Sequence, residues 1–113
     1  KGLAHISGDG LLNLLRLDAE VGYRFDALPE VSPIFEVVQR EGGVDVAEMY
    51  QVFNMGVGFC IVVAPGDVDE TLAAVKRGGS EGVVAGAVVP GPRRIELPGV
   101  GLVGQGGRFA PAR

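Results

Sequence analysis

The sequence has no tryptophan, a single cysteine and a single histidine. One cysteine, Cys60, rules out an internal disulfide, and a chain without one suits a reducing cytoplasm. Cys60 sits in an apolar strand-like run, where a thiol behaves as a small hydrophobe more often than as a nucleophile. Basic residues are outnumbered: ten Lys and Arg stand against fourteen Asp and Glu, a net charge of −4. The basic clusters that hold nucleic acid or an anionic membrane are missing, so neither is an expected partner, and any phosphate must be held locally. No apolar run approaches the roughly twenty residues of a membrane span. No leader peptide is visible, and the expected location is the cytoplasm.

Glycine, by contrast, is abundant: 19 of the 113 residues. Almost half of the residues are apolar, and a chain of this length buries one core without staples. Two glycine-rich stretches stand out. The first is Ala4-His5-Ile6-Ser7-Gly8-Asp9-Gly10, an apolar run that ends at a hydroxyl and breaks into a turn before Leu11-Leu12-Asn13-Leu14-Leu15. Gly8 and Gly10 can take backbone angles closed to other residues, so successive amides can point at one spot and cradle an anion. A helical turn over residues 11–15 would add its own amides, with Ser7 and His5 beside them. The plainer reading is a tight turn between two apolar runs. The second stretch is Phe53-Asn54-Met55-Gly56-Val57-Gly58-Phe59, set between a helix-like and a strand-like segment.

Together the two stretches resemble aminoimidazole ribonucleotide synthetase, the phosphoribosylformylglycinamidine cyclo-ligase family. Residues 4–10 are similar to its His-Ile-Thr-Gly-Gly-Gly motif, and Pro33-Ile34-Phe35, Glu48-Met49-Tyr50 and residues 53–58 to its C-terminal domain, in the same order and at similar spacing. The resemblance runs over residues 2–109. Ser7 keeps the hydroxyl of the family's threonine, whereas Asp9 stands where many members carry glycine and brings a carboxylate into a phosphate loop, tolerable if it faces away or binds a metal.

The resemblance implies that residues 1–113 are the C-terminal domain of a longer, two-domain protein whose N-terminal ATP-binding domain is absent from this chain. It implies a three-layer α/β/α arrangement with a mixed sheet, partly ferredoxin-like; pattern alone gives α+β. The whole enzyme would use ATP and Mg2+, neither held by this domain alone and with no metal ligands expected here, and would act on a ribonucleotide as a homodimer in purine synthesis. His5 is then the candidate catalytic residue, suited as the only histidine to donate a hydrogen bond or shuttle a proton. Ser7, Gly8, Asp9 and Gly10 would bind substrate or phosphate, with Asn54, Gly56 and Gly58 forming the opposite lip. Alternatives are a noncatalytic binding or dimerisation module, and a domain of a related enzyme: formylglycinamidine ribonucleotide synthetase, selenophosphate synthetase, thiamine-phosphate kinase or the hydrogenase-maturation carbamoyl dehydratase. The fragment alone is expected to be inactive.

The remaining pattern predicts a strand over residues 2–6, a helical turn over 11–17 and a half-buried strand over 21–26 with Val21, Tyr23 and Phe25 on one face. Ser32-Pro33 starts a helix that Gly42-Gly43 ends, with Ile34, Val37 and Val38 at helical spacing. Asp45 with Glu48 caps a second helix whose stripe is Val46, Met49, Tyr50 and Phe53. Core packing suits Met49 and Phe53; Tyr50 can pack or line a ligand cleft. Residues 58–64 are expected to be a central strand covered on both faces. A third helix, capped by Asp67 with Glu70, buries Val68, Leu72 and Val75; a strand broken at Gly86 follows over 83–89. Residues 93–97 are expected at a sheet edge, and 99–107 as a flexible, weakly patterned tail, less plausibly a third phosphate loop.

Overall fold

A computed structural model describes residues 2–6, 8 and 10–112. It is mixed α+β, the class expected. Seven short strands and three helices run in the order β1 (Gly2–His5), β2 (Val21–Arg24), α1 (Pro33–Gly42), α2 (Val46–Val52), β3 (Phe59–Val62), α3 (Val68–Arg77), β4 (Ala87–Pro90), β5 (Ile95–Leu97), β6 (Leu102–Gln105) and β7 (Arg108–Pro111). Short 3-10 helices fill Gly10–Arg16, Pro65–Asp67 and Pro98–Val100.

The larger sheet has the order β4-β2-β5-β6-β7. Only β2 and β5 are parallel, in the register Tyr23 to Ile95 and Arg24 to Glu96; the other pairs are antiparallel. β1 and β3 form a separate antiparallel pair, with Ala4 opposite Cys60 and His5 opposite Phe59. The helix Gly10–Arg16 joins the two parts. Its residues from Gly10 to Leu14 are all buried, because it is enclosed between β1, α2 and the sheet. Leu12 lies against Gly104, where a β-carbon would come within 2.7 Å of its Cδ2. Around this helix Ile6, Leu11, Leu14, Met49, Ile95 and Leu97 are completely buried.

Local signals set the helix ends. Asp45 Oδ1 accepts the Glu48 N–H at 3.0 Å and starts α2. Gly43 closes α1 in the left-handed region at φ 62°, and both its own N–H and that of Val44 reach the Gln39 carbonyl. At the start of α3 the expected capping box is not made: the Asp67 side chain forms no capping hydrogen bond, and the Thr71 hydroxyl donates to the Asp67 carbonyl at 2.7 Å.

Four expectations about the strands and the tail are overturned. β3 is not a covered central strand; it pairs only with β1, and Phe59 and Ile61 are 53% and 41% exposed. Its β-branched composition signals a strand without setting the number of its neighbours. Residues 93–97 are not at an edge: β5 is the middle strand of five, because Ile95 and Leu97 alternate inward while Arg94 and Glu96 pair at 3.6 Å on the other face. The 99–107 tail is not loose. β6 and β7 close it as a hairpin around Gly106 and Gly107, at φ 64° and 85°, a primed turn that glycine pairs favour. The strand expected over 83–89 is confined to Ala87–Pro90; at Gly86 the chain passes so close to β2 that a β-carbon would lie 1.9 Å from the Arg24 carbonyl oxygen.

The helix stripes are covered less than their spacing suggests. Met49 and Tyr50 of α2 are buried, but Val46 is 41% exposed and Ala47 packs inward instead. In α1, Phe35 and Val38 meet the core while Ile34 and Val37 stay exposed. Val68, Leu72 and Val75 of α3 are only half-buried.

Candidate functional site

The site is built where β1 ends and β3 begins. The Ile6 N–H donates to the Gly58 carbonyl at 2.9 Å, which extends the β1–β3 ladder and sets the exit of the first strand beside the entrance to the other. One turn further along, Gly10 lies on the end of α2. At φ 55°, with Tyr50 O and Phe53 O placed 2.2 Å and 2.6 Å from where a β-carbon would stand, only glycine fits there. The two glycine-rich stretches are therefore neighbours.

Their glycines differ in purpose. Gly10 is buried and serves packing. Gly8, Gly56 and Gly58 are exposed, and a β-carbon at any of them would meet nothing within 4 Å. These three leave bare main chain at the surface. Ser7 and Asp9, which the sequence assigns to the same cradle, lie outside the described residues.

The second stretch spends some of its donors internally. Asn54 Oδ1 accepts the Gly56 N–H at 2.9 Å, and the Asn54 carbonyl accepts the Val57 N–H at 3.0 Å. The turn needs positive φ at both Met55 (52°) and Gly56 (94°). For methionine that conformation is uncommon and costs about 1 kcal/mol or more. Burial of the Met55 side chain, 8% exposed, offsets it. The Gly56 amide is thus engaged, and the Asn54 carboxamide has its nitrogen left for an outside partner.

His5 closes β1 with its side chain exposed, on the same face as Leu3, Phe59 and Ile61. Its ring lies 6.3 Å from that of Phe59, tilted by 50°. Tyr50 packs in the core. It is 5% exposed, packs edge-on against Phe109 at 6.4 Å, and borders an open cavity of about 330 Å³ together with the 26–31 loop, Leu97 and Val100. Burial pushes its phenol above the usual 10.0. A separate, much smaller space of about 10 Å³ is lined by Leu28, Tyr50, Asn54 and Val57 among others.

Two supporting residues were not singled out in the sequence for what they do. Asn13, 3% exposed, donates from Nδ2 to the Gly8 carbonyl at 2.9 Å and to the Gly10 carbonyl at 2.7 Å. A polar residue inside Leu-Leu-Asn-Leu-Leu is the signal that could have found it. Arg93 donates to the Leu15 carbonyl and, at 3.1 Å, to the Leu17 carbonyl, tying the end of the Gly10–Arg16 helix to the start of β5; Glu20 stands 3.6 Å from its other nitrogen. Among the described residues no three His, Cys, Asp or Glu side chains gather as metal ligands, and no helix is long and apolar enough to cross a membrane.

The comparisons place this mixed α+β domain in a family. The chain belongs to the family described as AIR synthase related protein, C-terminal domain, whose model matches residues 1–96. It is similar to enzymes named phosphoribosylformylglycinamidine cyclo-ligase. It is 65% identical to that of Methanothermobacter thermautotrophicus over 72 residues, which is 64% of this chain and 21% of the relative. With the protein of Methanocaldococcus jannaschii it shares 40% over 105 residues, 93% of this chain and 29% of the relative. With that of Pseudothermotoga lettingae it shares 42% over 97 residues, 83% and 29% respectively. The chain thus spans between about a fifth and three tenths of the length of these curated relatives.

Proposed function

We propose that this chain is the C-terminal domain of an ATP-dependent cyclo-ligase that converts formylglycinamidine ribonucleotide to aminoimidazole ribonucleotide, and that it contributes the phosphate-binding wall of the cleft. The single observation that carries the reading is the bare main chain at Gly8, Gly56 and Gly58, three exposed glycines on adjoining turns with open space above each. Its chemistry is supported by the names of the relatives.

In the whole protein, the formyl oxygen of the substrate would attack the terminal phosphorus of ATP, releasing ADP. The amidine nitrogen would then attack the activated carbon and expel phosphate as the ring closes. Such a reaction asks for positioning and for stabilisation of phosphoryl charge rather than for a covalent nucleophile. Main-chain amides near Gly8 and the Ser7 hydroxyl would hold phosphate, the free end of the Asn54 carboxamide would bind from the other lip, and His5 would donate to a phosphoryl or formyl oxygen. Mg2+ and the bulk of ATP would be held by the remainder of the protein, which would work in the cytoplasm as a homodimer.

Gly8→Val and Ser7→Ala in the full-length protein test the reading by titration with inorganic phosphate. Because a side chain at position 8 meets open space, Gly8→Val should leave the melting temperature nearly unchanged. It should weaken phosphate at least about tenfold, a loss of ~1.4 kcal/mol. Unchanged affinity in both variants would remove the phosphate wall and leave the noncatalytic module as the better account.

A further inference from the structure

Antiparallel strands at a protein surface ordinarily turn apolar residues to the core and polar ones to water. The larger sheet does so: behind the buried Tyr23, Ile95 and Leu97, its other face carries Arg24, Arg94 and Glu96. The β1–β3 pair does not. Ala4, Cys60 and Val62 pack on the core, yet the opposite face presents Leu3, Phe59 and Ile61, 63%, 53% and 41% exposed, with His5 beside Phe59 at the strand end. Neither strand contributes a carboxylate, ammonium or guanidinium to it. Among the described residues each of the two strands has only the other as a partner. A lone pair of strands is marginally stable, and a contiguous apolar face of this kind marks a contact surface.

What covers the face follows from the length of the polypeptide. The matched stretch is 21% of one relative and 29% of two others, and the family is described as a C-terminal domain. Under the reading above, the greater part of the protein therefore precedes this domain and leads into β1. A chain advances at most about 3.5 Å per residue, so the last three residues of that part stay within roughly 10 Å of Gly2, next to Leu3. A covalently attached partner acts at an effective concentration of about millimolar, far above that of a second molecule in dilute solution. We propose that the outer face of the β1–β3 pair is the surface on which the preceding domain of the same polypeptide packs, burying Leu3, Phe59 and Ile61 between the two. The seam then runs past His5 and Gly58. This assignment rests on the reading of the chain as the C-terminal domain of a longer protein, and not on phosphate binding.

The test is hydroxyl-radical footprinting of the full-length protein, read by mass spectrometry at Phe59 and Phe109, two side chains of equal intrinsic reactivity. Phe109 is 4% exposed within this domain and serves as the buried standard. Phe59 should oxidise within about threefold of the Phe109 rate, and the ratio should hold when the protein is diluted about a hundredfold. A faster rate at Phe59 overturns the proposal; a ratio that rises on dilution assigns the face to a second copy and overturns it too. Phe59→Asp gives an independent check, because it places a charge in the contact. Thermolysin cleavage between the domains should speed up at least about tenfold, whereas Val100→Asp, 40% exposed between β5 and β6, should change it by less than about twofold. An effect of Phe59→Asp no larger than that of Val100→Asp overturns the proposal, and if Phe59→Asp does not fold, the footprint of the unaltered protein decides. A protected Phe59 with unchanged phosphate affinity in Gly8→Val upholds this surface and removes the phosphate wall; an open Phe59 with that affinity lost does the reverse.

Discussion

The backbone of Gly10 rests on the carbonyl of Tyr50: a β-carbon at residue 10 would stand 2.2 Å from that oxygen. The contact locks the first glycine turn to the end of α2, so the two halves of the candidate site cannot separate without unpacking Met49 and Tyr50, both buried.

Gly10→Ala should therefore be among the most damaging small substitutions in the chain. It combines a positive φ with a main-chain clash that no rotamer relieves. The expected loss is about 3 kcal/mol or more. Chemical denaturation with circular dichroism checks it, and a loss below about 1 kcal/mol would contradict the packing described.

Arg93→Ala removes the donor that joins the Leu15 and Leu17 carbonyls to β5. The carbonyls are partly buried, and the variant should lose about 1–3 kcal/mol of stability. Arg93→Lys, which offers a compact ammonium in place of a planar fork, should recover only part of it. The unfolding midpoints of the two variants decide the order.

Asp45→Ala deletes the side-chain acceptor of the Glu48 N–H. A lost N-cap costs about 1 kcal/mol. Asp45 stands at the opposite end of α2 from the glycine contact, so phosphate affinity should be unaffected; Asp45→Asn should keep most of the stability in the same unfolding measurement.

Cys60 faces inward from β3 opposite Ala4, and burial pushes its thiol from 9.0 up to about 11. Folded protein should alkylate slowly with iodoacetamide at pH 8, while denatured protein reacts at once, since the thiolate is the nucleophile. The raised value favours the protonated form in the folded state. Its contribution to stability is thus complete below pH 9 and is lost as pH rises through about 11, and Cys60→Ala should flatten the stability profile in that window. Equal alkylation rates in folded and denatured protein would contradict the burial.

Much of this organisation is legible in the residues. The Ser32-Pro33 start and Gly43 stop of α1, the Asp45 cap of α2 and the inward Tyr23 and Phe25 follow from local chemistry, and local chemistry acts within a few residues. What eluded the pattern is non-local. Whether β3 is central or paired once, and whether β5 lies at an edge, depends on partners far along the chain that periodicity cannot name. The glycines of the tail suggest looseness, whereas Gly106 and Gly107 form a primed hairpin turn. At the site, the two glycine stretches announce themselves, but the inward role of Gly10 depends on tertiary neighbours at Tyr50 and Phe53. Ile34, Val37 and Val46 show the reverse case, helical spacing without a covering partner.

The parallel pairing of β2 with β5 has a consequence for how the polypeptide is made. On the ribosome the segment carrying Tyr23 emerges long before the one carrying Ile95, its neighbour in the finished sheet. The last strand, which brings Phe109 to the Gln51 side chain, comes later still. Vectorial synthesis therefore leaves the leucine-rich helix without its β5 cover until the segment carrying Ile95 has emerged, so the sheet side of the core closes after the β1 and α2 side.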